Sequence, residues 1–215
     1  MSDNLDFPAA VRRDGLALAD AAAAADPRQP IAACPGWDVA ELAWHITEVH
    51  YFWAEIVARG LQSPEQVPPL ERPADFPALL ARCRQGVEHL ADVLAAADPA
   101  APVWSWSHQK DAAFVIRHQA QETAVHRWDA EQAAGRAYAI DAALAADCID
   151  EFLEHTAGPW RTKEAAPVGG TLHLHPTDAP GEWTVAEEPA GTLLVSREHS
   201  KGDAAMRGPA SDLLL

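Results

Sequence analysis

Residues 111–134 read DAAFVIRHQAQETAVHRWDAEQAA, and this stretch decides the fold class of the chain. It is predicted to form one helix that ends before Gly135, since glycine readily adopts the left-handed conformation of a helix end. At about 100° per residue, a face about 120° wide collects apolar side chains together with ionisable ones. This inward face comprises Phe114, Val115, Val125 and the ionisable His118, Glu122, His126 and Asp129. Burying so much polarity is costly unless the groups satisfy one another or bind an ion.

Glu122 and His126 are i and i+4 neighbours on this helix, so both side chains can reach one point. A carboxylate oxygen and a neutral imidazole nitrogen suit zinc, and a third ligand from a facing helix would leave an open coordination position. The alternative is a hydrogen-bonded Glu–His pair on a partly wet helix, and the pattern leaves both open. The opposite face, with Arg117, Arg127 and Glu131, is expected to be solvated.

The predicted helix over residues 38–59 carries two histidines that could face this pair. It begins at Asp38 with Glu41 three residues later, which is a capping-box arrangement. An apolar stripe then recurs at three- and four-residue steps, formed by Val39, Leu42, Ile46, Val49, Trp53 and Ile56. His45 and His50 flank this stripe, each about 70° from its centre, so periodicity does not choose between them. For either histidine the ordinary alternative is a hydrogen-bonded core residue.

The remaining segments predict a division into two domains. Further helices are expected over residues 7–25, 75–97 and 141–155, so residues 1–157 are interpreted as a helical bundle. From residue 169 the apolar residues alternate, which predicts strands over 171–175, 182–186 and 192–196 in a small α+β domain spanning 169–215. The fold class is therefore mainly α. His173 and His175 are expected to face solvent together without a third ligand.

Composition narrows the classes of partner. The 215 residues carry a net charge of −16, with 32 acidic against 16 basic side chains. Such a chain repels phosphate backbones and anionic membrane surfaces, so neither nucleic acid nor membrane is an expected partner. No apolar run approaches the roughly 20 residues of a membrane span. The three scattered cysteines do not form a disulfide framework, which indicates a cytoplasmic protein.

Three segments resemble a known family. CPGWDVAELAWH at residues 34–45, QETAVHRWDAE at 121–131 and RGPASDLLL at 207–215 look like the mycothiol-dependent maleylpyruvate isomerase family. That family belongs to the DinB-like superfamily of metal-binding four-helix bundles. The resemblance covers nearly the whole chain and is specific for the family, but much less so for the substrate.

The resemblance implies a set of metal ligands. The metal histidine of the family stands eight residues after the Gly-Trp tryptophan, which selects His45 over His50, and the other ligands correspond to Glu122 and His126. Asp129, on the same face, is expected to orient a ligand histidine. Gln121 stands where many relatives carry histidine. Relatives usually continue past the leucine run with a helix whose arginine handles an acidic substrate, whereas this sequence ends at Leu215.

The function implied is a zinc-dependent enzyme with mycothiol as thiol cosubstrate. Its thiolate would add to an electron-poor double bond and leave again after rotation, which gives cis–trans isomerisation, or would stay on the small electrophile, which makes the protein an S-transferase. The tryptophans near the cleft would exclude water. Cys34 is interpreted as a buried small hydrophobe. The alternatives are a non-catalytic metal- or ligand-binding protein, favoured if the arginine helix is absent, and a metal-dependent hydrolase.

Overall fold

The computed structural model describes residues 5–157, 167, 169–188 and 191–215. The chain divides into two compact units, one of Asp6–Tyr138 and one that begins at Ala139 and includes the C-terminal end. The first unit contains four long helices, and the second contains a four-stranded sheet. The predicted fold, mainly helical with a small α+β part, is therefore confirmed.

The bundle of the first unit consists of α1 (Phe7–Ala24), α2 (Val39–Arg59), α3 (Phe76–Ala96) and α4 (Ala112–Ala133). Each helix begins directly after an aspartate whose carboxylate accepts a hydrogen bond from a backbone N–H three residues later; these caps are Asp6, Asp38, Asp75 and Asp111. Such a side chain satisfies one of the unpaired N–H groups at a helix start. After α2, Gly60 has φ +60°, the left-handed conformation predicted for this helix end.

The four helices pack pairwise around a shared core. α1 lies against α3 and α4, and α2 lies against the same two helices. Leu18 of α1, Leu42 and Ile46 of α2 and Ala130 of α4 belong to one buried cluster. At Gly15, an added Cβ would come within 2.7 Å of a Val87 methyl group, so glycine allows α1 to approach α3 closely.

The second face of α4 is buried, which contradicts the expected solvated surface. Arg127 donates to Asp14 of α1 at 2.8 Å and to Glu131 at 3.3 Å, and its guanidinium lies 3.8 Å from the centre of the Tyr138 ring. Asp14 is fully buried, and Glu131 is nearly so. A helix held between two neighbours buries two stripes, whereas its apolar periodicity marks only one. Polar groups can occupy the second stripe because they are paired.

The second unit contains α5 (Ala142–Glu151), which continues as a π-helical turn (Phe152–Ala157), a sheet and the short α6 (Ala210–Leu214). The strands are β1 (Leu172–Pro176), β2 (Trp183–Glu187), β3 (Leu193–Ser196) and β4 (Ala204–Gly208), in the spatial order β3-β2-β1-β4. β1 and β4 are parallel, and the other pairs are antiparallel. Trp183 and Val185 are buried, as their alternation predicts.

α5 groups with the sheet, whereas the sequence analysis placed this segment with the bundle. The Trp183 indole donates to Asp150 of α5 at 2.9 Å, and the Ile140 N–H donates to Ser211 of α6 at 3.0 Å. Helical periodicity reports that a segment is a helix but not which core it packs against. Among the described residues, no helix is both long and apolar enough to cross a membrane.

Candidate metal centre

Two helices bring together side chains that are 77 residues apart in sequence. α2 positions His45, and α4 positions Glu122 and His126 one turn apart. Nε2 of His45 lies 3.1 Å from Oε1 of Glu122, and Nε2 of His126 lies 3.5 Å from the same oxygen. Ligand atoms of all three residues lie within 4.8 Å of one another. The result is one carboxylate oxygen between two imidazoles, in the first unit.

A second carboxylate holds one of these imidazoles from behind. Nδ1 of His126 lies 2.9 Å from Oδ2 of Asp129, three residues later on α4, and Asp129 is buried. A carboxylate at this distance accepts a hydrogen bond from Nδ1–H, and this orients the ring so that Nε2 points toward Glu122. The structure thus places Asp129 where the sequence analysis expected an orienting residue.

The electrostatics of the group follow from these contacts. Burial raises the pKa of Glu122, but hydrogen bonds with His126 and His45 outweigh it and hold this pKa far below its ordinary value. Burial lowers the pKa of His126, yet the hydrogen bonds to Asp129 and Glu122 raise it to about 9. Without a metal, the group is therefore a charged cluster in which the carboxylates and imidazoles stabilise one another.

His50, the other histidine of the α2 stripe, lies outside this group. It is fully buried, and its Nε2 lies 2.9 Å from the Thr123 hydroxyl. Burial lowers its pKa to about 4, so the ring is neutral near pH 7. The structure therefore brings His45, and not His50, together with Glu122 and His126.

His118, the fourth ionisable residue on the α4 face, packs among aromatic rings. It stacks on Phe114 with ring centroids 5.3 Å apart and meets Trp106 edge-on at 5.1 Å. Phe52, Trp53 and Trp104 continue this aromatic cluster. His118 lies one turn before Glu122, which explains why the sequence pattern groups it with Glu122, His126 and Asp129. It is not part of any potential metal-ligand group in the described chain.

The turn before α2 contributes two residues that the sequence analysis did not place at the site. The ring centroid of Trp37 lies 4.8 Å from that of His45 and 6.3 Å from that of His126. Ligand atoms of Cys34, His126 and Asp129 also lie within 4.8 Å of one another. The sequence predicts Cys34 to be a buried small hydrophobe, but it is half-buried and the fold places His126 beside it. Burial, followed by the charges of Asp129 and Glu122, raises the pKa of this thiol.

The donor set fits a divalent metal with tetrahedral preference. Bonds of 2.0–2.1 Å at tetrahedral angles separate two ligand atoms by about 3.3 Å. The distances from the Glu122 oxygen to the two imidazole nitrogens, 3.1 and 3.5 Å, bracket that value. Two imidazoles and one carboxylate are ligands typical of zinc sites that keep a position open.

Comparison with known proteins gives one family match. Residues 9–131, more than half of the chain, match the family model described as the mycothiol maleylpyruvate isomerase N-terminal domain. The match extends from the first turn of α1 nearly to the end of α4 and so includes His45, Glu122, His126 and Asp129. No curated protein and no solved structure matches the chain.

Proposed function

The chain belongs to the family defined by the mycothiol maleylpyruvate isomerase N-terminal domain, and we propose on this premise that it is a metal-dependent enzyme that uses a low-molecular-weight thiol. His45, Glu122 and His126 would hold one divalent ion, and zinc suits this donor set best. The observation that carries the proposal is the approach of two imidazole Nε2 atoms to one oxygen of Glu122.

Each surrounding residue has a defined task in this proposal. When bound, the metal supplies Lewis acidity, which lowers the pKa of a coordinated thiol. Asp129 accepts a hydrogen bond from Nδ1–H of His126, which leaves the lone pair of Nε2 free to bind the metal. Glu122 contributes one negative charge between two neutral donors. Trp37 packs against the His45 ring and would restrict the access of water from that side.

The nucleophile in this proposal is mycothiol rather than a cysteine of the chain. The pKa of the Cys34 thiol is raised, so near neutral pH it remains a thiol, which is a weak nucleophile. An added thiolate would attack an electron-poor double bond of the substrate, and its departure after rotation would complete a cis–trans isomerisation. If the carbanion of the adduct instead took up a proton from water and the thioether were released, the same site would act as an S-transferase toward small electrophiles.

The aromatic cluster offers a surface for such an electrophile. Trp104 and Trp106 are half-buried, and Trp106 meets His118 one turn from Glu122. Aromatic faces near a charged centre bind flat, conjugated molecules and keep water away from the reacting atoms. This placement supports a small unsaturated substrate.

Metal content combined with thiol response tests the proposal. Cobalt-substituted protein should develop a sulfur-to-metal charge-transfer band when mycothiol is added at neutral pH, because thiolate is a softer donor than water. His45→Ala should lose the metal ion of the bundle site together with the band. His89→Ala, at an exposed histidine of α3, is the matched control and should keep both. Turnover of an activated alkene that requires added thiol would then establish the activity.

Two results would contradict the proposal. If His45→Ala and wild type contained the same amount of metal, the assignment of His45 as a metal ligand would be wrong. A metal-loaded protein without any spectral response to thiols would instead be a metal-binding protein or a hydrolase.

A further inference from the structure

The second unit contains a separate cluster of histidines. His173 and His175 alternate along β1, so both side chains lie on the same face of the sheet. Glu182 immediately precedes β2, which pairs antiparallel with β1. The pairing of His173 with Thr184 places Glu182 across from His175 on this face. His199 follows β3 and reaches the same carboxylate.

The contacts of this cluster converge on one carboxylate. Nδ1 of His175 lies 2.8 Å from Oε1 of Glu182, and Nε2 of His173 lies 3.3 Å from Oε2. Nδ1 of His199 lies 2.5 Å from Oε2. Ligand atoms of His173, His175 and Glu182 all lie within 4.8 Å of one another. Three imidazoles therefore surround one carboxylate. The His173 separation of 3.3 Å equals the edge of a zinc coordination tetrahedron, about 3.3 Å, and the other two are hydrogen-bond distances that a bound ion would lengthen.

Backbone geometry holds the loop of His199 against this face. The hydroxyl of Ser200, next to His199, lies 2.6 Å from that of Thr184 on β2. At Gly202, an added Cβ would come within 3.0 Å of the His173 nitrogen and 2.7 Å of the Ala204 oxygen. Glycine at this position thus lets the chain lie close beside the β1 backbone as it enters β4, three residues after His199.

The cluster is accessible to an ion in solution. The side chain of His175 is 33% exposed and that of His199 is 81% exposed, so water and small ions reach the donors. The cation Arg207 lies opposite His175 in the β1–β4 register, and it is exposed, so water and salt screen its charge. Neutral imidazole with carboxylate is a donor set that suits zinc, copper and nickel.

We propose that His173, His175 and Glu182 form a second divalent-metal site in the C-terminal unit, with His199 as an additional donor. This site is independent of the proposed function of the bundle, because all its ligands come from the sheet and its loops. The first choice of metal is zinc, since two imidazoles and a carboxylate match the ligands of open zinc sites.

Zinc titration of the full chain, stripped of metal beforehand, tests the proposal. Wild type should bind two zinc ions per chain, measured by calorimetry against a competing chelator. Glu182→Gln keeps the size and a hydrogen-bond acceptor but removes the charge, and it should weaken one of the two sites at least about tenfold. The double variant His173→Ala/His175→Ala should bind one ion. His89→Ala is the control and should bind two.

The two sites are separated by a reciprocal variant. His45→Ala should retain the zinc ion that Glu182→Gln weakens, so failure of the bundle site would leave the sheet site measurable. The proposal is overturned if Glu182→Gln and the double variant, both folded by circular dichroism, bind zinc with the wild-type number and affinity. A second ion that binds wild type only at millimolar zinc would equally reject it as an adventitious ion only.

Discussion

The bundle and the sheet assemble the same donor set, two imidazoles and one carboxylate, by different means. In the bundle, His45 and Glu122 are 77 residues apart and meet because two long helices pack together. In the sheet, His175 and Glu182 are seven residues apart and meet through the register of one strand pair. The bundle imidazole of His126 is 15% exposed and is supported by Asp129, whereas no buried carboxylate supports the sheet group among the described contacts.

This difference in burial indicates how strongly the stability of each unit depends on the charged partners of its polar side chains. A buried charge that loses its counter-charge is left in a medium of low dielectric, and the cost falls on the stability of the fold. An exposed charge that loses its partner is solvated instead, at little cost. The bundle should therefore be sensitive to deletion of its buried polar groups, whereas the sheet should tolerate deletion of its exposed ones.

The largest difference is expected for ion pairs away from both ligand sets. Arg127→Ala should lower the free energy of unfolding by about 3–5 kcal/mol, because the buried carboxylates of Asp14 and Glu131 both lose a charged partner, and Asp14 then keeps only Arg13 as a charged partner, whose side chain is half-exposed. Arg197→Ala in the second unit, where Arg197 pairs with Asp150 and is 43% exposed, should cost about 0–1 kcal/mol. Urea unfolding of both variants measures the two free-energy changes, and equal losses of stability would contradict the expected difference between the units.

A pH effect on stability of similar but somewhat smaller size should come from His50. Its pKa in the folded protein is about 4, against an ordinary value of 6.5, so the unfolded chain takes up the proton first as the pH falls. The contribution of His50 to stability should be complete above about pH 6.5, fall by roughly 3 kcal/mol toward pH 4, and then level off. Metal-free protein unfolded in denaturant at a series of pH values gives this curve.

His50→Gln should remove that part of the pH dependence, and His199→Gln, at an exposed position of the second unit, serves as the matched control. A curve unchanged in His50→Gln would show that other groups set the acid sensitivity.

A smaller effect is expected at the residues behind the ligands. Asp129→Asn should weaken the affinity of the bundle for zinc by about 10–100-fold, because it no longer holds the Nδ1 proton of His126 as a charged acceptor. Thr184→Val breaks the hydrogen bond that anchors the loop of His199, and it should weaken the sheet site less. Competition with a chelator measures both constants, and a larger loss in Thr184→Val would reverse the comparison.

The smallest effect is expected for Cys34→Ser. His126 is already held by Asp129, so the bundle ligands do not require the thiol, and elemental analysis should give the metal content of wild type. A loss of metal as large as in His45→Ala would instead make Cys34 a ligand.

Much of the bundle could be predicted because its signals are local. The aspartate caps and Gly60 mark helix ends by chemistry within a few residues, and the spacing of Glu122 and His126 marks one face. The choice of His45 over His50 needed the family resemblance, since both lie at the same angle from the stripe. Arg127 and Glu131 were placed in solvent because one helix pattern does not reveal how many neighbours the helix has.

The sheet was harder to predict for a different reason. β4 has four exposed residues in succession and no apolar alternation, so its residues carry no strand signal. His173 and His175 were expected to face solvent without a third ligand, because the position of Glu182 depends on strand register. Likewise, Cys34 and Trp37 reach the bundle site only through a turn that long-range packing holds against α4.

The close approach at Gly15 has an evolutionary consequence. A methyl group there would overlap with Val87, so the two positions share one fixed volume between α1 and α3. Mutations at either position are then not independently tolerated: alanine at 15 requires a smaller residue at 87, and a larger residue at 87 requires glycine to persist at 15. Among relatives of this chain, the two positions should covary. In their evolutionary history, a smaller side chain at position 87 should arise before a larger one at position 15.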